Sequence, residues 1–108
     1  MRLTAGIWVS AYLKRLSLLE IPAFVVKKGD PTAGAVLIKL NTLDGQASCY
    51  QRSFDLMTGA RRWVVLVDGA DADVEASVAK QCSFDTDLWV IEVEDRAGRH
   101  LLDEPGLD

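Results

Sequence analysis

The chain has 108 residues, 49% hydrophobic and 26% charged, which is the balance of one globular domain and too little chain for two. A domain of this size buries roughly 60 to 70% of its unfolded surface, enough for a sheet with one or two helices. The formal net charge of -4 excludes the basic excess of a dedicated nucleic-acid or membrane-surface binder. That total hides an asymmetry. Residues 1–54 carry seven bases against three acids, net +4, and residues 55–108 carry five bases against thirteen acids, net -8.

Residues Thr4 to Glu20 place Ile7, Trp8, Ala11, Leu16 and Leu19 at three- and four-residue steps, the period of an amphipathic helix that Pro22 stops. The apolar stretch Leu3–Leu13 is read as part of this helix and not as a signal-peptide core, since only Arg2 precedes it and Lys14-Arg15 follow. No apolar run reaches the length of a membrane span.

Two β-branched runs follow, Ala23–Lys28 and Ala35–Asn41, and the Gly29–Gly34 segment between them reads as a hairpin loop. Asp44-Gly45 is the preferred dipeptide of a two-residue hairpin turn joining Ala35–Leu43 to Gln46–Phe54, a register that sets Lys39 opposite Tyr50 and Leu37 opposite Arg52. Arg61–Val67 is apolar on both faces, the pattern of a central strand. A helix is expected from Asp71 to about Cys82, with Val74, Val78 and Cys82 inward, and a last strand from Leu88 to Asp95. Strand 61–67, helix 71–82 and strand 88–95 suggest a crossover between parallel neighbours. The predicted fold is α/β of the α+β type: one mixed, mainly antiparallel sheet of about five strands with two helices, in the order α-β-β-β-β-α-β. Residues 1–102 form the domain and 103–108 an acidic, frayed C-terminal tail.

Cys49 and Cys82 are widely spaced and form no CxxC pair, as expected of reduced thiols in a cytoplasmic protein. The acids Asp68, Asp71, Asp73 and Glu75 fail the calcium-loop pattern, because Ala76 stands where its glycine is required and Cys82 where its glutamate is. They read instead as the charged start of a helix. His100 is the only histidine and has no nucleophile in a recognised context, so it reads as a surface residue. The glycines form no phosphate-cradling motif. A restriction-endonuclease-like core would need a carboxylate two residues before Lys39, and Leu37 stands there, so that reading survives only as a degraded nuclease-like fold.

Acid, base, nucleophile and metal groups thus never fall at a spacing that catalysis requires, and neither a metal nor a cofactor is expected. The chain reads as a cytoplasmic, non-enzymatic interaction or adaptor domain that self-associates or docks a protein partner. The alternative is a regulator or minor enzyme that binds an anionic small molecule or nucleotide. Its candidate ligand-binding residues are Lys28, Asp30, Lys39, Arg52 and Arg62, in a pocket beside the Gly29–Gly34 loop. Only one residue of each adjacent basic pair (Lys27-Lys28, Arg61-Arg62) is expected to join that patch, since neighbours on a strand point to opposite faces.

Three stretches carry a resemblance: Ala5 to Ala11 (AGIWVSA), Lys28 to Lys39 (KGDPTAGAVLIK) and Phe84 to Arg96 (FDTDLWVIEVEDR). Together they resemble a small uncharacterised alphaproteobacterial family catalogued as a domain of unknown function. The resemblance spans nearly the whole chain and implies a stand-alone cytoplasmic domain. It brings no activity, cofactor or site residue.

Overall fold

A computed structural model describes residues 3–106. Two helices, α1 (Ala5–Leu18) and α2 (Asp71–Phe84), accompany five strands: β1 (Ala23–Lys27), β2 (Val36–Asn41), β3 (Gln46–Phe54), β4 (Arg61–Ala70) and β5 (Trp89–Glu94). The strands form one sheet in the order β1-β5-β2-β3-β4, so the last strand in sequence sits inside it. β5 runs parallel to β2 and antiparallel to β1, and the other pairs are antiparallel. This is the expected mixed sheet with two helices.

A helix covers each face. On one side Trp8, Val9, Tyr12 and Leu16 of α1 pack on Ile38, Leu40, Trp89, Ile91 and Val93. On the other, Val74 and Val78 of α2 pack on Leu37, Ala47, Cys49 and Val90. The buried face of α1 therefore runs through Ala5, Trp8, Val9, Tyr12 and Leu16, while Ile7 and Leu19, expected to face inward, are exposed.

Three expectations about pairing are corrected. First, β1 and β2 form no hairpin, because β5 lies between them. The 29–34 segment bridges over the start of β5, with Asp30 N–H donating to Asp87 O at 3.0 Å and the Trp89 indole N–H to Asp30 O at 2.7 Å. This crossing demands glycine: a Cβ on Gly29 would stand 2.2 Å from Asp87 O, and one on Gly34 2.4 Å from the same atom. Second, β4 is an edge strand and no neighbour of β5, from which β2 and β3 separate it. Its two-faced apolar pattern comes from an extra residue. Cys49 pairs with Val67 and Tyr50 with Val65, so Leu66 is bulged and packs with Val67 on the α2 side. Third, the β2–β3 loop has three residues, Leu43 to Gly45, closed by Thr42 N–H to Gln46 O. Leu43 (φ 62°) and Gly45 (φ 87°) both adopt left-handed backbone, which shifts the register by one and sets Lys39 opposite Cys49.

The loop over β5 also starts α1. Thr4 makes no side-chain cap; the first amides, of Ala5 and Gly6, donate to the carbonyls of Thr32 and Pro31. At the other end Leu101 and Leu102 pack on the α1-side core, and the Arg15 guanidinium donates to Pro105 O at 2.7 Å. Of the sequence-assigned tail, 107 and 108 lie outside the described residues.

Candidate functional site

The sheet forks. β2 pairs with β5 from Val36 onward but with β3 only from Ile38, while β3 and β4 stay paired as far as Phe54 and Arg61. The far end of the β3–β4 hairpin thus parts from β2. A cleft of about 640 Å³ opens there, walled by Trp8 of α1, the 32–35 backbone, Arg52, Arg61, Trp63 and the end of α2 at Gln81. A second hollow of about 640 Å³ shares Arg52, Arg61 and Trp63 and runs on past Arg62 to His100 and Asp103.

Arg52 stands where the two hollows meet. Its guanidinium carbon lies 5.1 Å from the Trp8 ring centroid and 4.9 Å from that of Trp63, and the two indoles are themselves 5.3 Å apart. Trp8 in turn stacks on Tyr12 at 4.9 Å. Two π-faces hold the cation by their quadrupoles, so it is oriented before any ligand arrives. A guanidinium offers five donors in a rigid fork, matched to the paired oxygens of a carboxylate or phosphate.

The five sequence candidates do not form one patch. Arg52 lines both hollows, and Arg62 lines the second. Lys28 is exposed and lines neither, and Asp30 is a loop brace whose carboxylate accepts the amides of Thr32 and Ala33. Lys39 lies on the opposite face of the sheet, 2% exposed, beneath α2. Both members of the Arg61-Arg62 pair line the second hollow, because it wraps around the end of the hairpin. Trp8 and Trp63 carried no local signal as site residues, since a tryptophan on an apolar face reads as core. The expected pocket beside the Gly29–Gly34 loop does have a counterpart, for Thr32 to Gly34 line the first hollow.

Lys39 is held by three carboxylates. Its Nζ lies 2.6 Å from Asp71 Oδ1, in an ionic contact, donates a hydrogen bond to Glu75 and sits 3.4 Å from Glu92 Oε1. Burial opposes its charge, but the contacts to Asp71, Glu75 and Glu92 outweigh burial and raise its pKa. Of the four acids around the start of α2, Asp71 and Glu75 therefore serve an ion cluster, and no side chain caps the helix there.

The other chemically notable groups are structural. Burial pushes the Cys49 thiol up to about 11, far from a reactive thiolate. His100, expected at the surface, is part-buried: its ring meets Tyr50 at 4.7 Å, its Nδ1 accepts the Leu102 amide, and its carbonyl accepts the Tyr12 hydroxyl at 2.7 Å. Burial lowers its pKa, against the opposing pull of Asp103. Among the described residues no group of His, Cys, Asp and Glu is placed to hold a metal, and no helix is long and apolar enough to cross a membrane.

The model of one protein family, "Protein of unknown function (DUF1491)", matches residues 3–103. The chain belongs to the DUF1491 family. Two solved structures of a family member from Caulobacter crescentus are similar over 97% of this chain. The crystal structure shows 37% identity and a TM-score of 0.84 over 97% of its own chain, and the NMR structure 38% and 0.83 over 96%. The solution structure of protein Atu0922 from A. tumefaciens is 29% identical, with a TM-score of 0.74 over 87% of this chain and 86% of its own. No curated protein matches the chain. Family membership thus agrees with the resemblance read from the sequence, and it carries no activity to transfer.

Proposed function

We propose that this DUF1491 domain is a cytoplasmic recognition module, acting without catalysis, that binds a small organic anion in the forked cleft: a carboxylate or phosphate on an apolar body. The observation that carries this reading is Arg52, fixed over Trp8 and Trp63 at the junction of two hollows that Arg61 also lines. The cleft volume falls within the roughly 300–1,000 Å³ usual for small-molecule pockets. The indoles of Trp8 and Trp63 beside the two arginines suit an anion with an organic body better than a bare inorganic ion, and the carboxylate of Asp85, which also lines the cleft, favours a ligand that carries a donor as well.

The test is native mass spectrometry of freshly purified protein, followed by thermal shift against a library of carboxylates and phosphates. A ligand at a hundred times its Kd adds about 2.7 kcal/mol, which raises Tm by roughly 10 °C or more for a domain of this size. Arg52→Lys keeps the charge but loses the fork and is expected to cut the shift, and Arg61→Met to reduce it. A clean apo mass with no shift across the library, or a shift unchanged in both variants, overturns the reading.

A further inference from the structure

The segment that follows β5 is held unevenly. Its root is pinned: His100 O accepts the Tyr12 hydroxyl at 2.7 Å, Leu101 turns the chain in left-handed backbone (φ 59°), and Leu101 and Leu102 pack on the α1-side core. Residues 103–106 are exposed throughout. Beyond the turn bond from the Glu104 amide to Leu101 O, their far end is held by Arg15. Its guanidinium donates to Pro105 O at 2.7 Å and lies so close to Gly106 that a Cβ there would stand 2.5 Å from it. A stretch held by exposed contacts of this kind is the part of a fold that opens first.

That stretch carries Asp103 and Glu104 along the second hollow, which Arg52, Arg61 and Arg62 of the β3–β4 hairpin also line. The chain thus brings two carboxylates of its own to the arginines that the anion would engage. We infer that residues 103–106 are an acidic strap, latched by Arg15, that competes with the anion for the hairpin arginines and swings away when the anion binds. This rests on the forked cleft being an anion site and adds its regulation. A tethered carboxylate is present at high effective concentration, so a closed strap weakens the apparent affinity in proportion to the fraction of molecules that are open. By reciprocity, an anion that fills the site lowers the population of the closed strap. The hinge falls after Leu102, where core packing ends and exposed backbone begins.

The probe is phenyl phosphate, a phosphate on an apolar ring, titrated by NMR into wild type, the double variant Asp103→Asn/Glu104→Gln, and Arg15→Met. Neutralising the strap should tighten binding about tenfold, as expected where closed straps outnumber open ones by that factor. Arg15→Met separates the strap from simple charge: losing a cation weakens anion binding through the field alone, whereas unlatching the strap tightens it. Nitrogen relaxation supplies a readout that needs no ligand. Without probe, the amides of Asp103, Glu104 and Gly106 should gain fast motion in both variants, while those of Leu101 and Leu102 stay as rigid as in wild type. Adding probe to wild type should produce the same loosening. Arg15→Met binding more weakly than wild type, or a strap that stays ordered in both variants, overturns the strap and leaves the anion site standing. Failure of all three proteins to bind, with 103–106 loosened in the variants, overturns the anion site and the competition that depends on it.

Discussion

Lys39 shows how one residue changes meaning between sequence and structure. In sequence it is a cation on a strand near other cations, and it joined the candidate anion site for that reason. In the fold the parallel pairing of β2 with β5 sets it beside Glu92, and α2 lowers Asp71 and Glu75 onto it. Removing the ammonium leaves three carboxylates facing one another, so Lys39→Met is expected to lower unfolding free energy by about 1–3 kcal/mol in urea titration. The partial exposure of Asp71 and Glu75 keeps the loss within that range. Because the folded state raises the lysine pKa, the protonated form is favoured by folding. Its stabilisation is complete below the unfolded value of roughly 10.4 and is lost as pH climbs through the higher folded value. Wild type should therefore lose stability above that point more steeply than Lys39→Met.

At the level of elements, the loop over β5 does more than connect two strands. It supplies the carbonyls that start α1, the acceptor for the Trp89 indole and one wall of the cleft. Its glycines were legible in sequence as turn residues, but their role is close approach, which only the position of β5 reveals. Gly29→Ala drives a methyl into Asp87 O and the Leu88 backbone and is expected to cost about 1–3 kcal/mol, read as a lower Tm. The same change at Gly45 meets no neighbouring atom and acts only through backbone strain. Comparing the two separates crowding from conformation.

For the whole molecule, the decisive feature is that β5 is inserted between β1 and β2. The two cores share it, since Trp89, Ile91 and Val93 face α1 while Val90 faces α2. A fragment of residues 1–84 keeps both helices and four strands yet has no partner for β1 and none for the outer side of β2. It is expected to show dispersionless amide NMR spectra, and addition of a peptide spanning residues 85–106 should restore native dispersion. A folded fragment without the peptide would contradict this account of the core. The charge halves seen in the sequence also take on a spatial meaning. Part of the acidic half neutralises Lys39, and the arginines of the β3–β4 hairpin gather at the fork.

The parallel pair that makes the sheet mixed is β2 with β5 and not the expected β4 with β5, whereas periodicity alone placed both helices and all five strands to within a few residues. These are local properties: a 3.6- or 2-residue repeat and a turn residue act over a few positions whatever the rest of the chain does. Strand order was not legible, since hydrogen-bond partners across a sheet depend on which strand arrives last between which neighbours, and β5 is sixty residues or more from β1. The site followed the same division. Arg52 and the Arg61-Arg62 pair stood out by charge, whereas Trp8 and Trp63 became site residues only when the early parting of β2 from β3 opened the sheet around them. A one-residue shift in the 43–45 loop then sent Lys39 to a face that no composition or spacing announces, because facing is decided by register and register by the backbone of a turn.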